Sequence, residues 1–312
     1  MNLFEKLYSL VILIAVVIGL LLGQLDVVSN RAEAFIVPLL VAMLYITFLQ
    51  IPVENIKESI KNKKFTAISL LINFIWVPIL AWLLALAFLS NHPALYIGFI
   101  MLMVTPCTDW YLIFTSIAKG NVALSTAILP LNLILQILLL PVFLLLFGDT
   151  TGVIEWSFLL ESVLLILLIP FIGALLTKAL LRKKQHIKET FLSSISLLPM
   201  IFLSLAIVAM FSAHGQLLFN HIDLLWKITI PIICFFVINF MIGQKIGKLM
   251  NLCYADRASL SLTTLARNSP IALAIAMTAF PDEPLVALTL VIGPLLELPI
   301  LALISQVLLL RR

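Results

Sequence analysis

Residues 94–118 read ALYIGFIMLMVTPCTDWYLIFTSIA, and the fold turns on how this stretch is interpreted. It is long enough to cross a bilayer, which takes about 20 mainly apolar residues as a helix. Its middle, Thr105-Pro106-Cys107-Thr108-Asp109, puts a proline and a charge where an uninterrupted helix would carry neither. Proline lacks a backbone donor and disfavours helix in the residue before it, so the run predicts a helix broken near its centre. A second run, 254–279, is interrupted in the same way by Arg267-Asn268-Ser269-Pro270. Backbone left unpaired at membrane depth is tolerated only where protein buries it or it lines a wet cavity.

The remainder of the 312-residue chain fits the same setting. It is 63% apolar and 11% charged, with a mean hydropathy of +1.20. A soluble domain is closer to about 45–50% apolar and about 25% charged, so a water-soluble fold is excluded. Low-charge runs near 7–25, 33–52, 66–89, 94–118, 121–147, 155–180, 190–212, 223–248, 254–279 and 284–309 predict membrane helices. Barrel strands would need only about ten alternating residues each. The first run is too long for a cleaved signal and nothing like a cleavage site follows it, so it is expected to be retained. Of the 19 lysines and arginines, 16 fall on the amino-terminal side of the alternating loops. Both termini are therefore expected to be cytoplasmic, which requires an even number of spans, and ten fits. The net charge of +4 is too small and too confined to loops for a nucleic-acid binder. Cys107, Cys234 and Cys253 form no metal-binding spacing, and their odd number argues against a disulfide framework.

The two interruptions are related by position. Adding 164 takes Pro106 to Pro270, Pro130 to Pro294, and Val122-Ala123-Leu124-Ser125 onto Val286-Ala287-Leu288-Thr289. Pro38 pairs more loosely with Pro199, and Pro78 with Pro231. The chain thus divides into 1–150 and 151–312, each with five spans. An odd number of spans per half inverts the second half relative to the first. Inverted repeats with matched broken helices point to a secondary transporter with its site near the midplane. The competing view is that prolines, common in membrane helices, align by chance.

The segment running from Cys107 to Ala118-Lys119-Gly120, followed by Leu131-Asn132 and Gln136, resembles the arsenite-efflux permease family. So does Val291-Ile292-Gly293-Pro294-Leu295-Leu296-Glu297-Leu298-Pro299. That family lies within the bile acid/arsenite/riboflavin transporter superfamily, and Ala118-Lys119-Gly120-Asn121-Val122-Ala123-Leu124-Ser125 is also similar to its sodium/bile-acid symporter branch. The resemblance implies ten spans, with the fourth and ninth broken and crossing. It also implies a panel domain of spans 1, 2, 6 and 7, and a core domain of spans 3–5 and 8–10. It implies Cys107 and Glu297 as the functional pair. The run Asn268-Ser269-Pro270-Ile271-Ala272 departs from the family pattern, which carries a glutamate after its polar run. That departure weighs against a sodium site.

Cys107 follows a helix-breaking proline, where a helix fragment is expected to start and to favour negative charge. A soft thiolate suits a thiophilic centre such as trivalent arsenic as substrate; the competing reading is a small buried hydrophobe. Glu297 is the sole charge between Glu283 and Arg311, and an intramembrane carboxyl is by default a functional candidate, here for carrying a proton. Its competing role is structural, paired with Arg267 or bonded to a break. Asp109 and Arg267 carry opposite charges, one in each broken span, and are expected either to pair or to meet substrate. With Pro106 and Pro270 they are expected to have a structural or a gating role at the helix breaks. Asn132 and Gln136 share a helical face. Together with Thr108, Asn268 and Ser269 they are candidates to hydrogen-bond the hydroxyls of arsenious acid, ordinary polar packing between helices being the alternative. His92, His214 and His221 are expected in external loops and His186 in an internal one. The basic loops at 57–64 and 182–188 read as topology signals and lipid contacts.

The expectation is an all-α polytopic protein of the cytoplasmic membrane that exports arsenite, and antimonite as a second cargo, by proton antiport. The sulfur of Cys107 and the carboxyl of Glu297 are expected to face one shared cavity. The chief rival is sodium-coupled uptake of an organic anion such as a bile acid or keto acid. An intramembrane enzyme is the remote alternative, since no histidine lies in any predicted span to serve as a base. No cofactor is expected, and no Gly-x4-Gly-Lys-[Ser/Thr] nucleotide loop is present.

Overall fold

In the computed structural model the described residues are 3–51, 61–108, 111–148, 161–181, 191–220 and 222–310. They form α1 (Leu3–Leu22), α2 (Asp26–Gln50), α3 (Lys63–Leu89), α4 (Pro93–Met103), α5 (Tyr111–Ile117) and α6 (Val122–Gly148). There follow α7 (Glu161–Leu181), α8 (Leu198–Asn220), α9 (Ile222–Leu249), α10 (Tyr254–Leu265), α11 (Ser269–Ala279) and α12 (Pro284–Leu310). No strand occurs among the described residues; their one extended pairing is a bridge between Pro106 and Arg267. Among the described residues seven helices are long and apolar enough to cross a membrane, while the apolar helices Leu10–Leu22 in α1, α4 and α11 are shorter. The chain is a polytopic, all-helical membrane protein. Large apolar side chains such as Leu146, Trp226, Met241 and Leu303 face outward, as hydrocarbon solvent permits.

Local chemistry sets the element ends. The Asn62 carboxamide oxygen accepts from Phe65 N at 3.1 Å and starts α3. Asn121 does the same for Leu124 N at 3.1 Å before α6, and its amide donates to Asp256 Oδ1 at 2.9 Å. After α5, Lys119 takes a left-handed φ of 54° and Gly120 N returns to Thr115 O at 2.8 Å. After α9, Asn251 (φ 51°) and Leu252 N to Gly247 O (3.0 Å) repeat the arrangement, a paired closure of helix carbonyls. Inside α3, residues Ile72–Trp76 widen to a π turn.

α2 packs along α8 and α7, and α1 packs along α8. α12 lies against α4 and α11, and α9 against α3 and α10. The α4–α12 contact is close because Gly98 has no side chain: a Cβ there would sit 2.8 Å from Thr289 Cβ and 2.9 Å from Val286 O. This proximity carries the end of α4 to the middle of α12, where Glu297 sits. The histidine expectations need one correction. His214 lies within α8 and is half-buried, because the apolar turn beside it continues the helix past the predicted span end. His186, His221 and the basic stretch 182–188 lie outside the described residues.

Candidate functional site

The two breaks meet. Thr105–Thr108, after α4, and Ala266–Asn268, between α10 and α11, run antiparallel for a few residues. Cys107 N donates to Ala266 O at 3.0 Å and Asn268 N to Thr105 O at 2.6 Å. These two bonds flank the Pro106–Arg267 pair, so that pair occupies the position where facing residues exchange no hydrogen bond. Pro106 therefore costs no ladder bond. The N–H of Arg267, its counterpart, points away from the pairing and donates to Glu297 Oε1 at 2.9 Å.

Each half-helix ends with carbonyls that its own helix cannot pair, and at membrane depth they must find donors within the protein. For α4, Val104 N returns to Ile100 O at 2.9 Å. Thr105 Oγ1 reaches Met101 O (2.9 Å) and Leu102 O (3.1 Å), and Arg267 Nη1 reaches Met103 O at 2.8 Å. For α10, Ala266 N returns to Leu262 O at 3.1 Å, and Asn73 Nδ2 donates to Thr263 O at 3.4 Å. Arg267 Nη2 and Asn239 Nδ2 both donate to Thr264 O, and Arg267 Nε donates to Leu265 O at 3.1 Å. Every orphan carbonyl of both half-helices is thus satisfied.

Arg267 is the hub of this arrangement. Only 2% exposed, it also donates through Nη2 to Asn73 Oδ1 at 3.1 Å and lies 5.4 Å above the Phe235 ring. A guanidinium offers five donors in a fixed fork, which suits several carbonyl ends at once. Its positive charge also opposes the negative ends of both half-helices. Asn73 is set in place by the π turn of α3, a distortion that recurs at functional sites. Asn73 and Asn239 were not among the residues singled out in the sequence. The available signal was that each is the lone asparagine of its predicted span with apolar residues on either side, where an amide is expensive unless partnered.

The proline pattern explains a further contact. Pro294 has no N–H, so Leu290 O in α12 lacks its helical donor, and the Ser269 hydroxyl donates to it instead. Asn268 caps α11 by accepting from Ile271 N at 3.2 Å, and its amide donates to Thr108 Oγ1 at 3.0 Å. Thr108, Asn268 and Ser269 are therefore bonded within the protein. Pro270 sits in the first turn of α11, where a missing N–H is harmless.

Asn132 and Gln136 differ sharply. Both are buried in α6, and neither amide has a hydrogen-bond partner among the described residues; Ser125 Oγ, on the same helical face, is in the same condition. Asp109 lies outside the described residues, so its expected contact with Arg267 has no structural account.

Glu297, 5% exposed, borders a cavity of about 20 Å³ walled by Ile12 of α1, Leu203 of α8, and Arg267, Ser269 and Pro270. That is room for one water-sized guest. Cys107 is fully buried and is not part of this wall. It is joined to Glu297 through one peptide group: its N–H holds the C=O of the Ala266–Arg267 unit, whose N–H holds the carboxylate. That peptide is trans, so the two bonds leave its opposite edges. The sequence placed Cys107 at the start of a helix fragment. Instead it lies in the extended segment, because the facing break offers a carbonyl to its N–H.

Two discontinuous helices that meet inside an apolar bundle and pair each other's main chain define a polytopic membrane protein organised around broken helices. The chain belongs to the sodium bile acid symporter family, whose model matches residues 37–221. It is 26% identical to the arsenical-resistance protein Acr3 of Corynebacterium glutamicum, over 95% of this chain and 86% of that protein. It is 23% identical to the Acr3 of Alkaliphilus metalliredigens, over 96% and 90%. The uncharacterized sodium-dependent transporter YocS of Bacillus subtilis is 24% identical over 74% of this chain and 70% of its own length. The chain is thus an integral membrane transporter of small solutes rather than an enzyme.

Proposed function

We propose that the protein exports arsenite, and antimonite as a second cargo, from the cytoplasm across the plasma membrane in exchange for protons. Cys107 binds the metalloid through its soft sulfur, and Glu297 carries the proton. Asn132 and Gln136 supply hydrogen bonds to the cargo's hydroxyls. The observation that carries the reading is the single peptide group linking the Cys107 main chain to the Glu297 carboxylate. That link fixes the positions of the two residues relative to one another through the main chain. The cavity beside Glu297 supports proton exchange, since it lies where α1 and α8 meet the broken-helix assembly.

The wider architecture belongs to the same reading. Ten crossings form two inverted five-helix repeats, 1–150 and 151–312, with both termini cytoplasmic. Spans 1, 2, 6 and 7 form the panel, which the packing of α2 against α7 and α8 supports. Spans 3–5 and 8–10 form the core. Alternating access then moves one body against the other around the crossing.

Arsenite uptake into everted vesicles under an imposed proton gradient tests this, with Cys107→Ala and Glu297→Gln beside the parent. Gradient-driven uptake by the parent, lost in both inserted variants, is the expected result. Equal, gradient-independent uptake in all three refutes it.

A further inference from the structure

Half-helix carbonyl ends are where transporters with broken helices hold a coupling cation. Here those oxygens are occupied by the protein itself. Met103 O ends α4, Thr264 O and Leu265 O end α10, and Asn73 Oδ1 comes from the π turn of α3; all four accept from one guanidinium. We infer that Arg267 is the resident cation of the crossing, taking the place of a bound alkali-metal ion, so that neither folding nor transport by this chain uses sodium.

Three features carry the inference. The donor set is made of hard oxygens, which suit a sodium ion as well as a guanidinium, so chemistry alone does not reserve the place for arginine. Geometry does: the fork spans the ends of two different half-helices at once, with bonds of 2.8–3.1 Å to Met103 O, Leu265 O and Asn73 Oδ1. The site is also closed, with Arg267 2% exposed and the Phe235 ring 5.4 Å from its carbon. A second cation placed among the same oxygens would meet like charge in a medium with little screening. Arg267 is thus a positioning residue with a specificity consequence: its charge is covalently fixed, and what the protein exchanges with solution must be something else.

The first test needs no substrate. Thermal unfolding of the purified full chain in detergent is followed with sodium chloride, potassium chloride or N-methylglucamine chloride at equal ionic strength. The wild-type midpoint is expected to be the same in all three. Arg267→Ala is expected to unfold at lower temperature. Guanidinium chloride well below denaturing concentrations should raise its midpoint by about 2 °C or more, as a ligand selective for the folded state does. Urea, the neutral analogue of similar shape, should not. Saturable stabilisation of the wild type by sodium overturns the inference, as does an Arg267→Ala midpoint equal to wild type or rescued equally by urea. If Arg267→Ala does not insert, the wild-type series decides alone.

The transport arm rests on the efflux reading and is separable from it. Gradient-driven arsenite uptake into everted vesicles is expected to be equal in sodium and N-methylglucamine buffers. Dependence on sodium overturns the resident-cation inference and leaves arsenite as cargo. Absence of arsenite transport in both buffers refutes the cargo, while the unfolding series still reads the cation.

Discussion

Replacing Asn73 by leucine and Asn132 by leucine are chemically the same change at two fully buried positions, yet the structure gives them opposite signs. Asn73 accepts from Arg267 Nη2 at 3.1 Å and donates to Thr263 O at 3.4 Å. Its replacement removes a hydrogen bond to a charged group, worth about 1.5–3 kcal/mol, and leaves a buried carbonyl unpaired for about 1–3 kcal/mol more. Leucine fills a comparable volume but returns neither bond, so the net loss is about 3–5 kcal/mol. Asn132 has neither amide atom bonded among the described residues. Its replacement ends the cost of an unpaired buried amide, about 1–3 kcal/mol, and stabilises the fold. At roughly 2 °C per kcal/mol for a chain of this size, the Asn73 variant should unfold about 6–10 °C below the parent. The Asn132 variant should unfold about 2–6 °C above it. The assay is thermal unfolding of the purified protein in detergent, read by near-ultraviolet circular dichroism or thiol-dye labelling. A fall of similar size in both variants refutes the bonding pattern on which the contrast rests. The Asn132 variant carries a second readout: it should insert normally and lose transport, and transport at the parental level removes Asn132 from the cargo path.

Two further variants probe the frame around the site. Gly98→Ala forces a methyl group within 3 Å of α12 side-chain and main-chain atoms. It should cost about 1–3 kcal/mol by overpacking, seen as a lowered unfolding temperature; an unchanged midpoint means that α4 and α12 are not in close contact. Lys119→Gly relieves the left-handed backbone at φ 54°. It should gain about 0.5–1 kcal/mol, and a loss of stability shows that the lysine side chain outweighs the backbone effect.

Much of this architecture is legible in the amino-acid order. Low-charge runs located the long elements to within a few residues: 121–147 was expected where α6 spans Val122–Gly148, and 284–309 where α12 spans Pro284–Leu310. The two breaks were visible because a proline, a nearby charge and a run of small polar residues fall together in the middle of an apolar stretch. The manner in which the breaks are closed was not visible. Their acceptors are main-chain carbonyls, which are identical in every sequence, so residue identity could not say which buried donors find them. Arg267 was weighed against Asp109 because opposite charges invite pairing; Asp109 lies outside the described residues, and what the structure adds is that the guanidinium serves helix ends. Asn73 drew no attention because its role depends on a π turn, a register slip of the helix that no residue pattern announces. Cys107 was placed at a helix start because a proline break can resolve as a restart or as extended chain. The choice was made by Ala266, which lies far along the sequence and close in space.

A proline in the middle of a membrane helix can serve as a joint or as a weld. The interlaced segments at Thr105–Thr108 and Ala266–Asn268 are the latter kind. Flexing at either would strip main-chain groups of their partners in hydrocarbon, at a cost of several kcal/mol per group. α4, α10 and α11 are consequently held together at the crossing. Under the proposed transport cycle, displacement is expected along the apolar contact where Ile12 and Leu203 border the Glu297 cavity. The apolar side chains there meet through dispersion, whose individual contacts are weak.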